Sequence, residues 1–273
     1  MRTLKTPLEL YRLLPRTNCG DCGVSSCMAF AAAVIKQEKS LSACTHLDPG
    51  IVAQYGGSIE RQTNLETIQE EQLGELRKRI AGLAVLSRAQ ATGGRVSSGS
   101  LVLSCLGREF GIDARGGVIS QCHTHAWFSI PLLDYVLTST GAPPSGQWLP
   151  FRELPSGGTW SRLFEQRCER PLRLLADAHS ELFADLVDLF SGAPSPGHFG
   201  ADVSVVLHPL PKVPLLICYW KPEDGMESRI HLFFDGTAES HLRIDSLFTL
   251  ATGIVRMLEK IMLKHSGGKD ILP

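Results

Sequence analysis

The sequence has no dominant charge. Its 27 Lys+Arg almost cancel its 28 Asp+Glu, leaving a formal charge of −1 at pH 7. The balance holds along the chain, with 12 basic against 9 acidic side chains in residues 1–100 and 15 against 19 in the remainder. Binding to phosphate backbones needs a basic field, so no nucleic acid partner is expected. Long apolar runs are missing too. No stretch reaches the roughly 18 residues that mark a membrane-spanning helix, so no membrane span is expected. The N-terminus does not read as a secretory signal, because Glu9, Arg12 and Pro15 break its apolar stretch. The expectation is a cytoplasmic protein. In that compartment clustered cysteines are more often metal ligands than disulfides, and a secreted disulfide framework is the alternative. The glycine pairs Gly93-Gly94, Gly116-Gly117 and Gly157-Gly158 match neither a phosphate loop nor a dinucleotide fingerprint. No nucleophile elbow and no internal repeat is present. With no catalytic constellation, the chain reads as an accessory protein rather than a stand-alone enzyme.

What is there is ordinary globular composition, 43% hydrophobic and 20% charged over 273 residues, enough for one large domain or a small and a medium one. Thr6-Pro7-Leu8-Glu9 is a helix start with N-cap, Pro at the first helical position and a capping box. A second, alanine-rich helix is predicted from Ser25 or Ser26 to about Lys39. Asp48–Ser58 reads as a loop, and Thr63-Asn64-Leu65-Glu66 as another capped start for a connecting helix. The Gly/Ser-rich segment Ala91–Ser100 is the predicted domain boundary. Beyond it, Leu101–Leu106 and Glu109–Asp113 flank a Gly107-Arg108 turn, a β-hairpin. Pro131–Thr138 is predicted helical. Leu172, Leu175, His179, Leu182, Leu186 and Leu189 define one amphipathic helix ending at Gly192. Asp202–His208, Val213–Trp220 and Ser228–Asp235 form an antiparallel meander, followed by a helix over Ile244–Met262. Grouped rather than alternating elements predict an α+β fold. The organisation is then residues 1–58 as a cluster-binding module, 59–100 as connecting helix and linker, and 101–273 as an α+β domain.

Four of the eight cysteines fall in the first 44 residues: Cys19, Cys22, Cys27 and Cys44, spaced C-x2-C-x4-C-x16-C. Thiolates are soft ligands for Fe–S clusters, zinc or Cu(I), and four complete the ligand set of a cluster or of a structural zinc. C-x2-C places two sulfurs on one tight loop. Cys27 adds a third at a helix start, where free backbone N–H groups and the positive dipole end suit an anionic cluster. The helix then acts as a strut that returns Cys44 to the site. Zinc sites usually pair two short knuckles, so the solitary fourth cysteine favours a cluster.

The stretch Leu14–Leu47, with Asn18-Cys19-Gly20, Cys22-Gly23, Cys27 followed by small residues and then Cys44, resembles the four-cysteine [4Fe–4S] domain of the corrinoid iron–sulfur protein and of the B subunit of the Rnf electron-transport complex. The resemblance implies a [4Fe–4S] cluster on Cys19, Cys22, Cys27 and Cys44. Gly146–Pro155 (GQWLPFRELP) and Phe233–Ala238 (FFDGTA) resemble an uncharacterised domain found in anaerobic bacteria; that resemblance implies no activity. Nothing matches the cobalamin-binding barrel of the corrinoid protein.

Other residues weigh less. Cys122, His123 and His125 group soft and borderline ligands at close spacing and form a second candidate site, against the plainer reading of a polar loop with one packed cysteine. His46 lies two residues beyond Cys44, within reach of the cluster or simply on a surface loop. His179 reads as a core histidine, and Cys105, Cys168 and Cys218 as buried small hydrophobes. The functional expectation is one-electron transfer to a redox partner protein, or to a centre in the chain's own C-terminal domain. A non-catalytic redox-sensing or ligand-binding module gated by the cluster is the alternative. An enzyme acting at Cys122, His123 and His125 is a third.

Overall fold

Thr6 starts the first helix through reciprocal bonds. Its Oγ1 accepts from the Glu9 amide at 3.3 Å, and the Glu9 carboxylate accepts from the Thr6 amide at 3.2 Å. Pro7 opens α1 (Pro7–Tyr11). The computed structural model describes residues 4, 6–35, 38–55, 65–122, 124–179, 181–223 and 225–265. They fall into two units, residues 1–69 and 70–273, and the fold is α+β, as expected.

In the first unit α2 (Cys27–Ile35) buries Phe30, Ala31, Val34 and Ile35 against Leu10 and Leu14 of the α1 region and against Leu41 and Leu47. The helix is shorter than predicted. Residues 36 and 37 lie outside the described residues, and the Glu38 and Lys39 amides turn back to the Ala33 carbonyl at 2.9 and 3.3 Å, which closes the helix short of the predicted Lys39. The expected loop at Asp48–Ser58 is instead largely a helix, α3 (Pro49–Tyr55). Asp48 explains it: its carboxylate accepts from the Gly50 amide at 2.6 Å, and its carbonyl accepts from Ile51 and Val52 at 3.0 and 3.2 Å. Gly50, a poor helix former, masked that signal in the sequence. Residues 56–58 lie outside the described residues, as do Thr63 and Asn64 of the next expected cap, although α4 (Leu65–Ala81) follows at the expected place.

In the second unit Leu76 and Ile80 of α4 are buried in the main core. The segment expected as a linker is packed structure. It holds the end of α5 (Ala89–Thr92) and β1 (Arg95–Ser97), which pairs with β2 (Ser100–Cys105). Gly94 permits this, because a Cβ there would meet the Val102 carbonyl and the side chains of Leu101 and Leu103. The predicted hairpin is present as β2 and β3 (Arg108–Ile112), with Leu106 and Gly107 at φ 49° and 71°, the left-handed pair of a two-residue turn. With β4 (Val118–Ile119) these strands form a four-stranded antiparallel sheet in sequence order. α6 (Ala126–Thr138) follows.

The second sheet contains β5 (Trp148–Pro150), β6 (Ala193–Pro194), β7 (Val203–Leu210), β8 (Val213–Trp220) and β9 (Arg229–Asp235) in the order β5-β9-β8-β7-β6, all antiparallel. The predicted meander is β7-β8-β9. The apolar run of β8 is central and covered on both faces: Leu215 and Ile217 join the main core, while Leu216 and Cys218 pack with Phe233 on the other side. α10 (Ile244–His265) and α6 complete the core.

The single amphipathic helix predicted through Leu172–Leu189 is two. A helical run through α7 (Ser161–Phe164), a π-helical turn over Glu165–Glu169 and α8 (Arg170–Ala178) stops at His179, and α9 (Leu182–Phe190) begins after it. The break follows from a contact remote in sequence. Asp177 in the last turn of α8 accepts from Tyr219 Oη and Ser228 Oγ, both at 2.7 Å, which pins that helix end to β8 and the entrance of β9. His179, expected in the core, is extended at φ −131°, ψ 96° and half-exposed. Cys105, Cys168 and Cys218 are buried, as expected.

The segments Gly146–Pro155 and Phe233–Ala238 are neighbours in space. Trp148, Leu149 and Pro150 pair with Asp235, Phe234 and Phe233, and the Gly236 amide donates to the Gln147 carbonyl at 2.8 Å. The buried Asp235 carboxylate joins them by accepting from the amides of Ser145, Gly146 and Thr237 at 2.9, 2.7 and 2.9 Å and from the hydroxyls of Ser145 and Thr237 at 3.0 and 2.7 Å. Burial raises its pKa, but these donors more than offset that and hold it below the ordinary carboxylate value. The stability it contributes is therefore fully present above the unfolded carboxylate value of roughly 4 and is lost as the pH falls through the depressed native value. Asp235→Asn should cost about 3 kcal/mol at neutral pH by leaving buried donors unpaired. In urea unfolding the gap between wild type and variant should narrow toward pH 3 or below, and a gap constant with pH would refute the assignment.

Candidate metal centre

Cys19 and Cys22 lie on the loop that joins α1 to α2, Cys27 is the first residue of α2, and Cys44 caps a short 3-10 turn over Leu41–Ala43. All four thiols are free. Exposure is graded: Cys19 is exposed, Cys22 and Cys44 are half-buried, and Cys27 is buried at 7%. Cys27 belongs to the core of the first unit, with Cys22 and Cys44 packed against it.

Three side chains tie these pieces together. Asn18 Oδ1 accepts from the Cys27 amide at 2.8 Å, holding the loop to the helix start. Asn18 sits at φ 51°, in the left-handed region that asparagine tolerates better than most residues. Lys39 Nζ donates to the Cys22 carbonyl at 2.7 Å, returning the chain beyond α2 to the loop. Gly23, at φ 74°, leaves room for it, since a Cβ there would lie 3.2 Å from Nζ. His46 Nε2 and Asp21 Oδ2 are 2.6 Å apart, fastening the Cys44 turn to the Cys19 loop. The His46 bond, then the Cys19 thiol, hold the exposed Asp21 carboxyl below its ordinary pKa. Ligand atoms of Cys19, Asp21 and His46 lie within 4.8 Å of one another.

The helix start is partly spent. Ser26 Oγ accepts from the Ala29 amide at 3.2 Å, as Asn18 does from Cys27, so two first-turn donors expected to face the site are capped. The donor set fits an iron–sulfur group: four free thiols from one loop, one helix start and one turn, around a small apolar core and beside a lysine ammonium. His46, which the sequence left between two readings, is part of the corner through Asp21. Asp21 and Lys39 were not singled out from the sequence. Their partners lie 25 and 17 residues away, and only the spacing of charged residues around the motif offered a hint.

The second candidate site is less complete. His123 lies outside the described residues. Cys122 and His125 are exposed and line a cavity of about 250 Å³ with Trp127. No three-ligand metal group forms there among the described residues.

A family model described as "Domain of unknown function (DUF3786)" matches residues 85–257, more than half of the chain. The chain belongs to the DUF3786 family. The match contains both segments locked by Asp235. A second family model, described as "Putative Fe-S cluster", matches residues 14–46 and supports an iron–sulfur cofactor there. Among curated proteins, the DUF3786 chain is 52% identical over 42 residues to the acetyl-CoA decarbonylase/synthase complex subunit gamma of Methanothermobacter thermautotrophicus, covering 15% of this chain and 9% of that protein. It is 34% identical over 95 residues to the same-named subunit of Archaeoglobus fulgidus, covering 33% and 20%. For that of Methanosarcina acetivorans the figures are 48% over 44 residues, 16% and 9%. The chain thus spans a fifth or less of the length of these relatives. These relatives bear neither of the two names that the cysteine motif suggested, while the two-part description of an iron–sulfur segment and an uncharacterised domain stands. No solved structure matches the chain. No helix among the described residues is long and apolar enough to cross a membrane.

Asn18→Ala should loosen the corner by about 2 kcal/mol, through the lost cap acceptor and the strained left-handed backbone. Asn18→Gly should cost less, since it keeps the backbone freedom. Amide exchange at Cys27 should accelerate in the same order, and equal exchange in all three proteins would contradict the role given to Asn18.

Proposed function

We propose that Cys19, Cys22, Cys27 and Cys44 hold a [4Fe–4S] cluster and that the chain passes single electrons to a partner enzyme in the cytoplasm, or to a centre held by its own residues 101–273. The observation that supports this reading is the set of hydrogen bonds from Asn18, Lys39 and His46 that ties together the loop, helix start and turn bearing the four free cysteines, inside the segment matched by the iron–sulfur family. When bound, the cluster supplies a one-electron couple.

The chain's own residues shape that couple. The Lys39 ammonium beside Cys22 offsets the negative charge of the thiolates, which favours acceptance of an electron. Burial of Cys27 shields one side, while exposed Cys19 leaves the other at the surface, where a partner can approach. Relatives named as subunits of a complex support a protein partner. The alternative, a cluster that gates ligand binding by residues 101–273, draws support from the cavity beside Cys122.

Anaerobically purified protein should give a paramagnetic signal on reduction and a reversible one-electron titration. Serine at any of Cys19, Cys22, Cys27 or Cys44 should change or abolish the signal, whereas Cys122→Ser should leave it intact. A reducible cluster without a reversible couple, destroyed by oxygen, would overturn electron transfer in favour of gating.

A further inference from the structure

The cavity beside Cys122 lies wholly within the second unit. Its walls come from the β2–β3 hairpin, the start of α6, the end of α9 and the outer turns of α10. They are largely aromatic. Phe110 and Phe128 have ring centroids 4.6 Å apart, and Trp127 meets Phe128 edge-on at 5.9 Å. The Trp127 wall is built at a cost to α10: a Cβ on Gly253 would overlap the indole, so the helix keeps an interior glycine, a poor helix former, where the ring lies. At about 250 Å³ the space falls just below the roughly 300–1,000 Å³ of pockets for drug-sized ligands and above the about 150 Å³ that admits benzene. One or two fused rings fit, and a tetrapyrrole does not.

The polar groups sit at the mouth. Arg108, Cys122 and His125 are exposed and line the cavity, and among the described residues no carboxylate does. The larger cleft at the π-helical turn, about 590 Å³, is a weaker candidate, because it mixes acidic and basic side chains and Arg173 and Glu169 there are already held by Glu227 and His231.

We propose that this cavity binds a small aromatic acid, its ring against Trp127 and Phe128 and its anionic group on the Arg108 guanidinium. A planar guanidinium matches a carboxylate or sulfonate through paired N–H donors, and the aromatic walls favour a flat ring. The proposal is independent of the cysteine corner.

The test uses the full cluster-loaded chain and two probes with the same two fused rings, naphthalene-2-sulfonate and the neutral naphthalene-2-sulfonamide. Calorimetry should show one saturable site for the sulfonate. Arg108→Gln, at an exposed position, should weaken the sulfonate about tenfold and leave the neutral probe unchanged. Leu189→Trp, at a position 40% exposed on the rim, should weaken both by filling the space. Either probe at saturation should slow alkylation of Cys122, read by peptide mass mapping; Cys105, Cys168 and Cys218 are buried and should not react. Binding of the sulfonate that is unsaturable or indifferent to Arg108→Gln, or Cys122 alkylation that neither probe slows, would overturn the proposal.

Discussion

The Cys27 amide donates to the side chain of Asn18, nine residues earlier, and the cysteine corner is organised around that bond. It fixes the loop carrying Cys19 and Cys22 against the helix start that carries Cys27. Lys39 and His46 then return the later chain to the same loop. The first unit has a small core, and such units commonly rely on metals or disulfides for stability. A group held by thiols from three chain segments would fasten the same pieces that the hydrogen bonds align. Fold and cofactor then share one set of contacts.

The second unit rests on a different arrangement. Its central strand β8 is buried on both faces, and its edge is closed by the Asp235 carboxylate, which gathers donors from two segments some ninety residues apart. Both segments lie within the DUF3786 match, and together they form a structural lock. The features with chemical character, the aromatic cavity and its cationic mouth, lie elsewhere in the unit.

Much of this was legible in the sequence where neighbours decide the structure. The Thr6–Glu9 capping box, the β2–β3 hairpin and the β7–β9 meander are set by residues a few positions apart and are present, although the hairpin turns at Leu106-Gly107, one residue before the expected Gly107-Arg108. So does the α+β class. The errors arose where distant contacts or local exceptions prevail. Asp177 is pinned by Tyr219 and Ser228, which ends α8 in the middle of a leucine periodicity. Asp48 starts α3 despite Gly50. A Gly/Ser-rich stretch became β1 because its small residues allow close packing on β2. At the cysteine corner the ligand spacing was visible, but Asp21 and Lys39 were not, since their roles depend on the chain folding back.

The central claim is that the four N-terminal thiols form a cluster site rather than a single-metal site. The most direct measurement is iron, zinc and acid-labile sulfide content of anaerobically purified full-length protein. A [4Fe–4S] centre predicts about four iron and about four sulfide per chain, falling sharply in Cys27→Ser. About one zinc per chain with no sulfide would contradict it.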